Sequence, residues 1–172
     1  MNVYPSILTD EIEQVVDQVE ICKEGSLVQT VQFDIIDSFY ADNITVFPGD
    51  LSPIDFGDLT IDFHLMTQEP MDFVHEIRDS KECLPVRAIL GQVEQMSSQL
   101  AFLKEIKKNN WMAGLSLNLH TPVESINEKS WEHLDVIQIM SIKAGFQGQK
   151  FNVSSLDLIS QLNDQIEERN LN

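Results

Sequence analysis

Short, near-continuously apolar segments alternate along the chain with amphipathic segments of helical period. Six apolar segments have the length and composition of strands: PSILT (5–9), LVQTVQFDIIDSF (27–39), TIDFHLMT (60–67), PVRAILGQV (85–93), WMAGLSLNLH (111–120) and DVIQIMSI (135–142). Strands that are apolar throughout and separated by helices are typical of a parallel sheet covered by helices. The alternation therefore predicts an α/β fold.

The segments between these strands have helical spacing, with one exception. Helices are predicted at 10–25, 71–82, 95–110, 121–134 and 154–169, whereas 40–58 is rich in Pro, Gly and Asp and is predicted as a loop. Thr9 or Asp10 is the expected cap of the first helix, and Pro70 is expected to open the second. In the last helix the expected apolar face consists of Leu156, Ile159, Leu162 and Ile166. No linker divides the chain, so we expect a single domain over residues 1–172.

The strongly acidic composition limits the partners. The 28 Asp and Glu residues against 11 Lys and Arg give a formal charge of −17, which opposes nucleic-acid phosphates and anionic membrane surfaces. Cys22 and Cys83 fit no metal or redox spacing. Since the sequence has neither a signal-peptide pattern at its start nor a long apolar run, we expect a cytoplasmic protein that binds neither nucleic acid nor membranes.

Polar side chains at the ends of the predicted strands distinguish two α/β architectures. A doubly wound sheet usually has a glycine-rich first turn, and none follows PSILT; a barrel instead gathers polar residues at the C-terminal ends of its strands. The second pattern is present, at Ser6, Asp34, Asp37, His64, Asn118 and Met140. A TIM-type (β/α) barrel is the predicted architecture.

Asp34 and His64 lie in similar settings, QFDIID and DFHLM, on neighbouring predicted strands. In a parallel barrel the two side chains would converge above the sheet, where a carboxylate and an imidazole suit a divalent metal or proton transfer. The alternative is that each is satisfied by nearby backbone. Spacing alone leaves both interpretations open.

Five motifs, in order from Pro5 to Phe151, resemble the ribulose-phosphate 3-epimerase family. They are PSIL, QFDIIDSFYADNIT, IDFHLM, GLSLNLHTPVE and IMSIKAGFQGQKF, against family patterns of SIL, H-x-D-x-M-D-G-x-F-x-P-N-I-T, D-x-H-L-M, G-L-x-L-N-P-x-T-P-x-E and M-S-V-x-P-G-F-G-G-Q-x-F. The resemblance implies a (β/α)₈ barrel that interconverts D-ribulose 5-phosphate and D-xylulose 5-phosphate by proton abstraction at C3.

The resemblance also implies roles for individual residues. In the family two His and two Asp hold a divalent metal (Zn, Fe, Mn or Co), and the two Asp act as acid and base on opposite faces of an enediolate. Asp34 matches the first Asp, and His64 matches the second His. The matched substrate-binding positions are Ser6, His64, Met66, Met140, Gly145, Phe146, Gln147 and Gly148. Asp37 matches an acidic position expected to brace the loop.

The departures from the family pattern fall at the site itself. Gln32 stands in place of the first metal-binding His, and an amide oxygen is a far weaker ligand than imidazole. Other replacements are Ile36 for methionine, Ser38 and Gln147 for glycine, and Asp42, Leu119 and Ala144 for proline. The sequence also lacks the D-G-G motif of the second catalytic Asp and the G-S phosphate cradle.

The length adds a second expectation. A complete eight-stranded barrel takes roughly 200 residues or more, so the 172 residues predict an incomplete barrel of six βα units with two open sheet edges. We expect an epimerase-like protein with weak or lost activity as an isolated chain, a partner or second copy covering the edges, and weak binding of a sugar phosphate. The alternatives are a non-catalytic scaffold or interaction protein, and an active epimerase whose missing acid comes across an interface.

Overall fold

Six parallel strands in chain order form one sheet in the computed structural model, which describes residues 2–25 and 27–171. The strands are β1 (Ser6–Ile7), β2 (Thr30–Ile36), β3 (Thr60–Met66), β4 (Val86–Gln92), β5 (Met112–Leu117) and β6 (Val136–Ile139). Each strand lies within a predicted apolar segment and pairs in parallel with the next. The α/β prediction of a TIM-type (β/α) barrel sheet with six strands is confirmed.

Four α-helices connect or follow these strands. They are α1 (Ile12–Glu24), α2 (Met71–Asp79), α3 (Gln99–Lys108) and α4 (Ser155–Glu168). The loop predicted at 40–58 contains a single 3₁₀ turn, Pro48–Leu51. Within the described ranges no helix is both long enough and apolar enough to cross a membrane.

The predicted helix at 121–134 is wrong. Two 3₁₀ segments, Val123–Ser125 and Glu128–His133, occupy this stretch, separated by the extended backbone of Ile126. The side chain of Gln99, on α3, explains the break, because its amide nitrogen donates to the Ser125 carbonyl at 2.7 Å and its oxygen accepts from the Asn127 N–H at 2.8 Å. These backbone groups would otherwise bond within a helix.

The face predicted for the last helix is also wrong in part. Leu158 and Leu162 are buried at 7% exposure each, whereas Leu156 and Ile159 are 55% and 40% exposed. Ser155, Leu158, Leu162 and Ile166 form a second stripe of helical spacing in the same sequence, and this stripe packs against the core. Periodicity alone does not distinguish two overlapping stripes.

The cap predicted for the first helix differs as well. Helix α1 begins at Ile12 with Glu11 as its N-cap, and neither Thr9 nor Asp10 occupies that position. The Thr9 hydroxyl still contributes, because it accepts the Glu11 N–H at 3.2 Å. The N-cap therefore lies one or two residues later than predicted.

Successive side chains along each strand point alternately to the hydrophobic core under the helices and to the interior face of the sheet. Val31, Phe33 and Ile35 of β2 are fully buried in the core cluster with residues of the covering helices. The intervening side chains point to the opposite, interior face, where Asp34 lies in register with His64.

In the described part of the chain the sheet has two unpaired edges. Strand β1 pairs only with β2, and β6 pairs only with β5. All four residues of β6 are half-buried, in contrast to the largely buried β5. An edge strand of this kind presents free N–H and C=O groups for pairing.

Candidate active site

Asp34 and His64 meet on the interior face, near the C-terminal ends of their strands. The in-register parallel pairing of β2 and β3 sets the two residues side by side. Oδ1 of Asp34 lies 3.0 Å from Nδ1 of His64, and the two side chains are 12% and 1% exposed. The sheet thus brings together the carboxylate and the imidazole that the sequence singled out.

The Asp34 carboxylate is surrounded by hydrogen-bond donors. The Ser6 hydroxyl donates to Oδ2 at 2.6 Å, and the Gln32 amide donates to Oδ1 at 2.8 Å. Burial by itself raises the pKa of Asp34, but the hydrogen bond and positive charge of His64, followed by the bonds from Ser6 and Gln32, leave this pKa below its usual value. The carboxylate is therefore ionised near neutral pH and is a weakened base.

The His64 ring is enclosed by amide side chains on its other sides. Nε2 lies 3.0 Å from the Gln92 amide, and Nδ1 lies 3.2 Å from the Gln138 amide nitrogen. Gln92 ends β4, and Gln138 lies on β6. One ionisable pair is thus surrounded by three neutral amides, because Gln32 approaches it as well.

The donor set does not match the four-ligand metal centre that the resemblance implies. Asp34 and His64 supply one carboxylate and one imidazole, and Gln32 presents its amide nitrogen to Asp34 rather than an oxygen to a cation. Across residues 2–25 and 27–171, no three His, Cys, Asp or Glu side chains group as a metal site. Amides are poor ligands for Zn²⁺ or Fe²⁺, so the residues present fit such a metal poorly.

The loop 145–148 contacts strand β1 and the loop that follows β2. The Asn43 side chain donates to the Gly145 carbonyl at 2.7 Å, and the Gln147 amide donates to the Ser6 carbonyl at 3.1 Å. Gly145 and Gly148 have φ values of 115° and 76°, which an L side chain rarely adopts. The loop therefore lies beside Ser6, while Phe146 remains 54% exposed.

The two methionines matched by the resemblance lie at the ends of their strands. Met66 ends β3 and is buried, and Met140 directly follows β6, where its sulfur lies 3.6 Å from the Gln138 amide nitrogen. Asp37 holds the loop after β2, because its carboxylate accepts the N–H groups of Phe39 and Tyr40 at 3.0 Å and of Gln68 at 2.7 Å. Its three backbone partners make Asp37 a brace rather than a reacting group.

Sequence reasoning missed four residues at the mouth: Gln92, Glu94, Gln138 and Tyr40. The Tyr40 hydroxyl donates to the Glu94 carboxylate at 3.0 Å, and burial followed by the Glu94 charge raises the pKa of Tyr40. Beside this pair is a cleft of about 480 Å³, lined also by Asn118 and Lys143. The signal for Gln92 and Gln138 was available, since both are polar residues in apolar strands that end at the same mouth.

Comparisons with known proteins identify the family of this chain. The model of the ribulose-phosphate 3 epimerase family matches residues 2–172. Ribulose-phosphate 3-epimerase of Bacillus subtilis is 29% identical over 171 residues, which is 98% of this chain and 76% of that protein. The enzyme of Escherichia coli K12 is 31% identical over 167 residues, 95% of this chain and 71% of that protein. For the chloroplastic enzyme of Arabidopsis thaliana the identity is 31%, and 59% of that protein is covered.

A solved structure shares the fold at low identity. A GH18 chitinase from Flavobacterium johnsoniae superposes with a TM-score of 0.57 at 11% identity, covering 94% of this chain and 64% of that one. At this identity the likeness concerns the fold alone.

Fold and site together define a βα-barrel protein with an acid–imidazole pair at the C-terminal mouth of its parallel sheet. Within that class, the chain belongs to the ribulose-phosphate 3-epimerase family. The family is known to use a divalent metal and a phosphorylated sugar.

Proposed function

We propose that this chain binds a ketose phosphate such as D-ribulose 5-phosphate at the mouth of the sheet and exchanges its C3 proton, but inverts that carbon slowly as an isolated chain. The observation that carries the proposal is the 3.0 Å contact between Asp34 and His64 on the interior face. Family membership supports the substrate class, since the relatives compared above are named as epimerases.

The Asp34 carboxylate is the proposed base. It takes the proton from C3 of the sugar, and the electron pair of the C–H bond moves toward the C2 carbonyl, whose oxygen becomes an enediolate oxygen. Hydrogen-bond donors aimed at that oxygen lower the barrier. The Ser6 hydroxyl and the amides of Gln32 and Gln138 are donors already on this face.

Inversion needs a second acid on the opposite face of the enediolate. In the described ranges neither Asp34 nor His64 is hydrogen-bonded to another carboxyl group. Return of the proton from Asp34 to the same face regenerates the substrate, so exchange exceeds epimerisation. The lowered pKa of Asp34 makes proton abstraction slow as well.

Asp34, His64 and Gln32 are the proposed ligands for a loosely held divalent ion. Two of the three are ligands of the kind that Zn²⁺, Fe²⁺, Mn²⁺ or Co²⁺ takes, and the amide of Gln32 contributes little. No step of the exchange depends on this ion.

Substrate contacts are proposed for the loop Gly145, Phe146, Gln147 and Gly148, beside the phosphate, and for Met66 and Met140, along the enediolate. The support is positional. Gln147 fastens the loop to the Ser6 carbonyl, and no heavy atom lies within 4 Å of the position that a Cβ of Gly148 would occupy.

A non-catalytic scaffold or interaction protein is the second candidate. It is favoured by the half-buried edge strand β6 and by the exposed rings of Phe146 and Phe151, at 54% and 58%. A second copy or another protein would cover these edges, and a cytoplasmic location stays part of this proposal.

Incubation with D-ribulose 5-phosphate in D₂O tests the proposal. Deuterium at C3 is followed by NMR, and D-xylulose 5-phosphate is measured in parallel. We expect wild type and the exposed-site control Asp164→Asn to exchange C3 faster than they form the epimer. Asp34→Asn, purified identically, should exchange C3 about a hundredfold more slowly, which also controls for contaminating enzyme. Absence of both exchange and epimer at high protein concentration would favour the scaffold.

A further inference from the structure

Positive charge is scarce at the mouth of the sheet, where the proposed function requires an anion to bind. The protein has 11 Lys and Arg residues against 28 Asp and Glu. Within the described ranges, only Lys143 and Lys150 follow the C-terminal end of a strand, in the segment 140–154 between β6 and α4. The other cations lie on or just after helices, on a 3₁₀ segment or at the start of β4: Lys23, Arg78, Lys81, Arg87, Lys104, Lys107, Lys108, Lys129 and Arg169.

Lys143 and Lys150 differ in what they face. Lys143 lines the cleft of about 480 Å³ beside Tyr40 and Glu94, and Lys150 does not. Both side chains are exposed, and across residues 2–25 and 27–171 neither forms an ion pair. The charge of Lys143 is therefore available to a ligand in the cleft.

Glu94 makes that charge necessary. Of the described residues that line the cleft, Glu94 is the only carboxylate and Lys143 the only ammonium group. The nearby donors are already bound to Glu94, because Oε1 accepts the Asn118 N–H at 2.9 Å and the Thr121 hydroxyl at 2.5 Å, and Oε2 accepts the Tyr40 hydroxyl at 3.0 Å. An anion in the cleft would be repelled by Glu94 unless the Lys143 ammonium supplied the opposite charge.

Backbone N–H groups close to Lys143 in the chain are a second kind of donor. The bonds from Met140 to the Leu117 carbonyl and from Asn152 to the Ser141 carbonyl enclose the segment. Between them, in the described part of the chain, the N–H groups of residues 142–151 donate to no backbone carbonyl. Successive free N–H groups in a turn form concave sites for anions. The same segment thus offers both a charge and unpaired donors.

We propose that Lys143 binds the phosphate group of the sugar and determines the preference for a phosphorylated over a neutral ketose. The ammonium group supplies the charge and a charge-assisted hydrogen bond, and the N–H groups of the segment 145–148 supply further donors. The identity of the sugar rests on the proposed function. The binding of phosphate by Lys143 can be tested without it.

Calorimetric titration with D-ribulose 5-phosphate and with D-ribulose measures the preference. In Lys143→Gln we expect the Kd of D-ribulose 5-phosphate to rise about tenfold, the lower range for a hydrogen bond between charged groups. The Kd of D-ribulose, which has no phosphate, should not change. Lys143→Arg keeps the positive charge and should retain most of the affinity for D-ribulose 5-phosphate.

Lys150→Gln is the matched control, because it removes the same charge from the same segment outside the cleft. We expect its Kd for D-ribulose 5-phosphate to stay within about twofold of wild type, since distant exposed charges are screened by salt. Equal losses in Lys143→Gln and Lys150→Gln would overturn the proposal, because the general charge of the segment would then explain binding. An equal loss of affinity for D-ribulose would overturn it too.

Inorganic phosphate is the probe that does not depend on the sugar. We expect phosphate to shift the backbone ¹H–¹⁵N signals of residues 142–151 in wild type and not in Lys143→Gln. No shift in wild type, or the same shift in Lys143→Gln, overturns the inference. Exchange of the C3 proton is measured separately. A Lys143-dependent shift without exchange would contradict only the proposed function, and exchange with unaltered affinity in Lys143→Gln would contradict only the role of Lys143.

Discussion

Two buried carboxylates on the interior face, Asp34 and Asp62, have opposite surroundings. Asp34 is held by a hydroxyl, an amide and an imidazole, none of which carries a permanent charge. Asp62, on β3 two residues before His64, is held by Arg87, whose Nε donates to Oδ1 at 2.8 Å and whose Nη2 donates to Oδ2. The Arg87 guanidinium also stacks on the Tyr4 ring at 4.7 Å.

The difference indicates that Asp62 has a structural role, whereas Asp34 can take part in proton transfer. An arginine stays protonated in proteins and matches both oxygens of a carboxylate, so both oxygens of Asp62 are engaged in an ion pair with a permanent charge. Since none of the partners of Asp34 carries a permanent charge, Asp34 is free to change its protonation state. Substitutions around Asp62 should therefore change stability, whereas substitutions at Asp34 should change proton exchange.

Removal of the Arg87 charge should have the largest effect, which we expect on the free energy of unfolding. Arg87→Met leaves Asp62, at 4% exposure, without its cation, and breaking a buried pair in this way costs about 3 kcal/mol. Urea unfolding at neutral pH measures the loss. The double variant Arg87→Met, Asp62→Leu removes both charges and should recover much of it; no recovery would mean that Arg87 acts through its stacking on Tyr4.

Asp34→Asn should show the reverse pattern. We expect C3 exchange to fall by about a hundredfold, the lower range for loss of a general base, because the amide cannot accept the proton. Ser6, Gln32 and His64 still surround the side chain, so the protein stays folded by circular dichroism. Exchange at the wild-type rate in Asp34→Asn would assign the base elsewhere.

The sequence predicted those features that depend on strand period and order. The similar settings of Asp34 and His64 on neighbouring strands allowed the two side chains to converge, and the in-register pairing of β2 with β3 sets them side by side. Failures came where distant contacts decided the outcome. The side chain of Gln99, on α3, interrupts the helix that was predicted at 121–134. Helix α4 buries Leu158 rather than Leu156 because it packs that side against the hydrophobic core.

Gln92 shows a third limit of sequence analysis. A glutamine in an apolar strand signals the mouth of a barrel, but its role depends on Ser116 and Glu94, whose distances the sequence does not contain. Pairwise geometry between strands, rather than composition, therefore decides which groups a buried amide contacts.

Asp34 and His64 supply two metal-binding side chains, and adding a third imidazole or carboxylate ligand beside them should create a metal centre. Gln32→His restores the residue expected from the family pattern at the position now 2.8 Å from Asp34. We expect Zn²⁺ or Mn²⁺ affinity to rise about tenfold, the lower range for changes around a metal site, measured by calorimetry. Gln29→His, at a position before β2, is the matched control. Equal gains in both variants would mean that the added histidine binds metal on its own.

Acid stability should show the smallest effect, since burial opposes the hydrogen bonds that lower the pKa of Asp34. A folded-state pKa below the unfolded value of about 3.9 means that ionised Asp34 stabilises the fold above that pH, and that this contribution is lost as pH falls through the folded pKa. Unfolding free energy should therefore fall less between pH 5 and pH 3 in Asp34→Asn than in wild type. Asp164 is an exposed carboxylate without such partners, so Asp164→Asn should show the wild-type dependence of unfolding free energy on pH. If Asp34→Asn also shows the wild-type dependence, the surrounding donors do not favour ionised Asp34, and Asp34 is a stronger base than proposed.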